Sequence, residues 1–305
     1  MQARVFAEAL TSCWHALIVA DGDTGALKLR LDVPAPDTTT IEACDPAAVK
    51  PEIHLLGISI KTFGVTFALG FVACGMVVAR RLRELGRPVD WAYEITFAAL
   101  IGGVVGARAY YVIQNWSTTK HDLLGSIFSG SGLVWYGGAI GGAIGVIGWM
   151  RWRKVLELRM LDMCATALAL GYAIGRIGCQ VSGDGDYGIH STLPWAMGYP
   201  HGTLPTPPGV KVQPTPIYET VTMCLVAWGL WQLRDRVRPG VVFALYLLLS
   251  GFERFLVEFV RRNTEVFAGL TSPQLESVAL MAIGAVWLAL LVRRGGTSAL
   301  RAAPA

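Results

Sequence analysis

The sequence predicts an all-α, polytopic membrane protein with about seven transmembrane helices and an extracytoplasmic head. Composition is the first reason: 53% of the 305 residues are hydrophobic, only 16% are charged, and 35 are glycine. Run length is the second. Apolar stretches recur that match the roughly 20 residues a helix needs to cross a bilayer. The third is the placement of basic residues, which cluster at alternate ends of these stretches. The net charge of +4 does not point to nucleic acid, because the arginines sit beside apolar runs.

Residues 1–56 are mixed and polar, with Pro34, Pro36, Pro46 and Pro51, and are expected to form an extracytoplasmic appendage. The stretch from Val5 to Ala20 is short and interrupted for a span, and it lacks the basic start and small-residue cleavage site of a signal peptide. Ala26–Leu31 alternates apolar and polar residues and predicts a short strand. Six cysteines are scattered without metal-ligand spacing. Cys74, Cys164 and Cys224 lie in apolar runs and should pack as small hydrophobes. Cys13 and Cys44 are candidates for a disulfide if their segment lies outside the cell.

The core domain, 57–295, holds seven predicted spans at about 58–79, 92–113, 133–150, 160–178, 215–233, 240–260 and 275–292. Arg80, Arg81, Arg83 and Arg87 follow the first span. Arg151, Arg153, Lys154 and Arg159 separate the third and fourth. Arg234, Arg236 and Arg238 follow the fifth, and Arg293 and Arg294 the seventh. Basic loops face the cytoplasm, so the N-terminus is expected outside and the tail 296–305 inside. Arg261 and Arg262 break this pattern and are candidates for lipid head-group contacts. Two outward connections are long: 114–132, with Trp116 and His121, and the head loop 179–214, with Asp184, Asp186, His190 and His201. Glycines repeat at four-residue spacing in the second, third and fourth spans, which lets helix backbones approach closely.

Arg254 interrupts the sixth span and Arg176 closes the fourth. An ionisable side chain at membrane depth is costly and marks a functional site with a nearby partner. Tyr246, Ser250, Arg254 and Glu258 recur every four residues and share a helix face. Two arginines in apolar surroundings suit a phosphate. Gly175-Arg-Ile-Gly-Cys-Gln-Val-Ser-Gly-Asp-Gly-Asp-Tyr-Gly188 is a helix end running into a glycine-rich loop, where Arg176 can pair with Asp184, Asp186 or a ligand phosphate. A structural salt bridge is the simpler alternative. A calcium loop lacks the ligand spacing and terminal glutamate.

Five segments together resemble the prolipoprotein diacylglyceryl transferase family: 175–188, Trp135-Tyr-Gly-Gly-Ala-Ile-Gly141, Pro214-Thr-Pro-Ile-Tyr-Glu219, Arg254-Phe-Leu-Val-Glu-Phe259 and Gly106-Ala-Arg-Ala-Tyr-Tyr111. The likeness covers about 53–294 in unchanged order. It implies an enzyme of the bacterial cytoplasmic (inner) membrane. In that reaction a diacylglyceryl group passes from phosphatidylglycerol to the lipobox cysteine thiol of a prolipoprotein signal peptide, and glycerol phosphate leaves. The implied partners are that lipid, the signal peptides and the surrounding membrane lipids, with no cofactor and no metal. Carried onto this sequence, the resemblance implies catalytic roles for Arg176, Arg254, Tyr136 and Glu258. It implies substrate contacts for Arg108, Tyr111, Gly137, Gly138, Cys179, Ser182, Gly183, Asp184, Asp186, Gly188, Tyr218 and Glu219.

Three positions depart from the family pattern. Tyr136 stands where histidine is usual, Phe63 where tyrosine is usual, and Cys179 where the alternative is asparagine. Tyrosine has an unperturbed pKa near 10, so it acts as a base only if a neighbouring charge lowers it. His190 and His201 are alternative bases. A relative using another lipid or acceptor, and a transporter, are the competing functions. A transporter predicts repeats between the halves, and none is clear. The topology is open to test: cysteines placed near residues 120 and 205 should label from outside, and labelling from the cytoplasmic side alone would overturn the orientation.

Overall fold

The computed structural model describes Val49 and residues 51–55, 58–119 and 135–294. Residues 1–48 of the appendage with its expected strand, Cys13 and Cys44, together with His121 and the C-terminal tail, lie outside the described residues. In order, the elements are β1 (Glu52–Leu55), β2 (Ile58–Lys61), α1 (Thr62–Glu84), α2 (Trp91–Gln114), α3 (Trp116–Thr119), α4 (Trp135–Trp152), α5 (Leu158–Ser182), α6 (Thr215–Leu233), α7 (Val241–Val257), a 3-10 turn (Glu258–Val260), β3 (Glu265–Phe267), β4 (Leu270–Thr271) and α8 (Ser272–Arg293). A long helix thus covers each of the seven apolar segments. Four of them, α1, α2, α5 and α8, are long and apolar enough to cross a membrane. The described residues are mostly helical, with a few short strands added. β1–β2 and β3–β4 form two antiparallel hairpins, the second turning through Ala268 and Gly269, both at positive φ.

Helix ends follow local chemistry. α5 stops at Gly183, whose φ of 57° is left-handed and whose N–H donates to the Cys179 carbonyl. α6 opens with a proline in its first turn, where no intrahelical N–H is lost. α8 opens on a capping box, with Thr271 and Gln274 satisfying each other's backbone N–H. α7 lacks a cap of its own. Asp162 of α5 supplies it, accepting from Gly240 N at 2.7 Å and Phe243 N at 2.8 Å.

α5 is the central helix, packed on α1, α6 and α7, while α7 also carries α8. α2 and α4 form the tightest pair. Its seam is glycine on glycine: a Cβ on Gly141 would collide with the Gly102 carbonyl, and one on Gly137 with the Gly106 carbonyl. At one end of the bundle, Val78, Leu82, Ile95, Trp149, Met150 and Met160 form a core. Basic residues gather at this same end. Glu84 holds Arg234 at 3.1 Å and Arg81 at 3.0 Å, and Glu94 holds Arg153 at 2.6 Å. Outward faces of the helices carry exposed apolar side chains such as Phe67, Val72, Phe97, Ile144 and Ile283. Such a belt suits a lipid environment.

At the other end, the connection between α5 and α6 folds into a small body on its own core of Val49, Tyr187, Tyr199 and Val212. The rings of Tyr187 and Tyr199 stack with centroids 4.8 Å apart. Tyr199 Oη donates to Gln180 Oε1 at 2.9 Å, which ties the body to the end of α5.

The glycine seam gives a direct expectation. Gly141→Val puts a branched side chain against a backbone carbonyl that cannot swing away. Thermal unfolding in detergent should show a loss of at least about 1–3 kcal/mol, and an unchanged midpoint would show that the seam tolerates separation.

Candidate active site

Three helix ends and two connections meet opposite the basic end of the bundle. Arg176 comes from the last turns of α5, Glu219 from the first turns of α6, and Arg254 from the end of α7. Glu258 and Arg261 belong to the 3-10 turn and its cap, and Asp186 to the loop after α5. Their charges alternate around a closed ring. Arg176 pairs with Asp186, and Asp186 Oδ1 with Arg261 Nη2 at 2.5 Å. Arg261 Nε lies 3.8 Å from Glu258 Oε2, which meets Arg254 Nη2 at 2.9 Å. Arg254 Nη1 meets Glu219 Oε1 at 3.1 Å, and Glu219 Oε2 closes the circuit 2.9 Å from Arg176 Nε.

Glu219 is the hub. It also accepts from Tyr172 Oη at 3.0 Å, and Arg261 Nη1 lies 3.7 Å from its second oxygen. Glu258 accepts from Thr271 Oγ1 at 2.8 Å and Asn263 Nδ2 at 2.5 Å, so the start of α8 is tied to the ring. Several of these polar atoms meet a partner only at ion-pair distance. Glu219 Oε2, Glu258 Oε2 and Arg261 Nη1 are buried without an aligned hydrogen bond.

Two of the three ring carboxylates are sealed: the Glu219 and Glu258 side chains are 0% exposed, whereas Arg176 and Arg254 retain 14% and 20%. Asp186 is the most open member of the ring at 33%, and Arg261 retains 9%. A ligand therefore meets the edges of Arg176 and Arg254 with Asp186 beside them, and Glu219 and Glu258 out of reach behind. Burial alone would raise the pKa of Asp186, but the guanidiniums of Arg176 and Arg261 hold it below the ordinary carboxylate range. Two residues away, burial and the neighbouring Asp186 charge push Asp184 up.

The remaining expected residues fall into place around this ring. Asp184 accepts from the Asp186 N–H at 3.2 Å and shapes the loop. The Cys179 sulfur lies 3.8 Å from Arg176 Nη1 and within 4.8 Å of the Asp184 and Asp186 carboxylates. Both Asp186 oxygens are already engaged by guanidiniums. The Ser182 carbonyl receives Thr203 N at 2.9 Å, and a Cβ on Gly183 would press on Gly202. Gly188 passes so close to the Val260 carbonyl that a side chain does not fit. Tyr218 Oη accepts from Trp195 Nε1 at 2.7 Å. Arg108 is buried on α2 with its guanidinium 5.5 Å from the Tyr111 ring centre. Gly137 packs tightly on Gly106 and Tyr110 of α2, and Gly138 lies beside Gly103 and Ala107 of the same helix. Tyr136 lies in the first turn of α4; the direction of its side chain is outside the described residues. His190 and His201 are both exposed.

Arg261 belongs to the ring, a place its position among loop arginines did not suggest. Its side chain is only 9% exposed and pairs inward with Asp186. Its spacing carried the signal: Arg254, Glu258 and Arg261 are four and three residues apart, so they share a face.

Residues 51–290 match the family model described as prolipoprotein diacylglyceryl transferase. The chain belongs to that family. Among curated relatives, the phosphatidylglycerol–prolipoprotein diacylglyceryl transferase of Finegoldia magna is 35% identical over 237 residues, covering 76% of this chain and 91% of the relative. The protein of the same name from Dehalococcoides mccartyi strain CBDB1 is 32% identical over 228 residues, covering 73% and 86%. That of Leptospira interrogans serovar Lai is 29% identical over 240 residues, covering 70% and 75%.

The hub is testable by withdrawing one charge at constant shape. Glu219→Gln leaves three guanidiniums facing two ring carboxylates, and removing one partner of a buried pair costs about 3–5 kcal/mol. Chemical unfolding should report a loss of that order, and a loss below about 1 kcal/mol, the scale of an exposed pair, would deny Glu219 its place as hub.

Proposed function

We propose that this chain is a seven-span transferase of the bacterial cytoplasmic membrane, with its head and N-terminus outside and its tail in the cytoplasm. It moves a diacylglyceryl group from phosphatidylglycerol to the lipobox cysteine thiol of prolipoprotein signal peptides. The names of its relatives support the donor and the acceptor class. The gathering of basic residues at one end of the bundle supports the orientation. The observation that carries the chemistry is the placement of Arg176 and Arg254: their edges stay open to a ligand while Glu219 and Glu258, the carboxylates that orient them, are sealed behind.

In this reaction the substrate thiol loses its proton, and its sulfur attacks the glyceryl carbon bonded to the phosphate ester oxygen. The carbon–oxygen bond breaks, a carbon–sulfur bond forms, and glycerol phosphate departs with the bonding pair. The protein supplies no nucleophile. Its task is to hold the phosphate and stabilise the charge that grows on the leaving oxygen, which fixed buried donors do best. Arg176 and Arg254 hold the phosphate. Glu219 and Glu258 lock both guanidiniums in one orientation, so no reorganisation is needed when charge develops. An ordinary thiol has a pKa near 8.5, so thiolate formation needs an acceptor. We assign that role to Tyr136, at the start of the glycine-packed helix α4, in its phenolate form, which takes the thiol proton and which a neighbouring guanidinium must stabilise.

Purified protein, phosphatidylglycerol and a lipobox peptide provide the assay. Arg254→Lys keeps the charge but loses the planar fork, so the rate should fall about a hundredfold with folding intact. Near-normal rates in both Arg254→Ala and Arg176→Ala would refute the phosphate role. Tyr136→Phe should depress the rate across roughly pH 6–9, and Tyr136→His should retain activity. An unchanged rate in Tyr136→Phe would show that the hydroxyl is dispensable. Activity with another lipid in place of phosphatidylglycerol would favour a relative of different donor choice, a reading that Tyr136 itself prompts.

A further inference from the structure

Arg262 stands one residue beyond the ring and takes no part in it. It is exposed, and among the described residues it has no carboxylate partner. Its guanidinium lies over the ring of Tyr187, 4.4 Å from the centroid, which holds a long side chain in one place. Beside it opens a cavity of about 330 Å³ lined by Gly185, Tyr187, Arg261, Arg262 and Asn263. That volume sits at the small end of the roughly 300–1,000 Å³ range of small-ligand pockets. It has room for a compact polar group and not for acyl chains.

We propose that this cavity is a second anion site, taking a phosphate ester: released glycerol phosphate or the head group of an anionic lipid. Its lining contains two guanidiniums and no carboxylate. Arg261 is largely neutralised by Asp186 on its inner side, whereas Arg262 keeps its full charge for a ligand. Gly185 adopts φ of 98°, and a Cβ there would run into Leu204, so bare backbone forms that wall. The Asn263 amide is fixed by its 2.5 Å bond to Glu258 and links cavity to ring. Arg261 serves both places, closing the ring on one side and lining the cavity on the other. An ester leaving Arg176 and Arg254 thus has an adjacent, less enclosed station on its way to solvent. The identity of the ester rests on the function proposed above; the presence of an anion site does not.

Calorimetric titration of the full-length protein in detergent tests the site directly, with glycerol phosphate and inorganic phosphate as probes. Arg262→Ala should weaken glycerol phosphate binding at least tenfold, and Arg262→Lys should recover part of the loss. Parallel binding to nanodiscs containing phosphatidylglycerol or only phosphatidylcholine identifies the source. Loss confined to the free ester marks a product site, and equal loss for phosphatidylglycerol nanodiscs marks a head-group site. Equal affinities of wild type and Arg262→Ala for both probes and both nanodiscs would overturn the proposal, as would wild type that binds neither probe. If the protein proves inactive with phosphatidylglycerol and lipobox peptide yet binds phosphate through Arg262, the transferase reading falls and the site stands.

Discussion

Everything at the functional end of this protein depends on pairing three largely buried guanidiniums with three carboxylates. A charge taken from water into a low-dielectric interior must find its opposite or be neutralised. Here each arginine has two acidic neighbours in the ring, and the six residues come from three helices and two connections. The ring is therefore a geometric constraint as much as an electrostatic one. α5, α6 and α7 cannot slide past one another without breaking an ion pair. The loop after α5 cannot move without releasing Asp186 from two arginines. Asn263 and Thr271 extend the constraint to the start of α8 through Glu258.

The opposite end solves a different problem by different means. There Arg87 and Arg153 lie near solvent, and pairs such as Arg87–Glu157 contribute little individually. What fixes that end is packing around Trp149, Met150 and Met160, together with Asp162 capping a neighbouring helix. A bundle anchored by apolar contact at one end leaves the other free to be built from polar groups. That division suits a membrane enzyme whose reacting groups are a charged head group and a thiol rather than acyl chains.

Much of this was legible in the sequence where the relationships are local. The helices could be placed because apolar run length is read directly. Arg254 and Glu258 could be paired because four residues make one helical turn. Gly183 sits at a helix end because few other residues adopt its backbone conformation. Glu219 could be flagged by resemblance but not recognised as the hub, since its arginine partners lie 43, 35 and 42 positions away. The pairing of Arg261 with Asp186 is not legible from counting basic residues in loops, which ignores which of them turn inward. The packing of Gly137 on α2 is not legible from a motif match, which does not distinguish a glycine that admits a ligand from one that admits another helix. The two hairpins are four residues per strand or fewer, too short for alternation to stand out.

The adjacent fates of Arg261 and Arg262 show how the ring sets the local electrostatics. Three guanidiniums against Asp186, Glu219 and Glu258 make a formally neutral assembly. A phosphodiester arriving there does not meet an excess of positive charge. It competes with carboxylates for donors already aligned, and the enclosed site strengthens those contacts relative to water. Competition of this kind moderates ground-state binding. It also favours the state in which charge on the leaving oxygen has grown, because a stronger acceptor draws more from the same donors. Uncompensated charge is kept one residue away, on Arg262, where screening by solvent prevents it from trapping the ligand. In the reaction proposed above, Arg176 and Arg254 hold the phosphate during bond breaking, and the neighbouring segment Glu258–Asn263, with its positive charge at the rim, receives it afterwards.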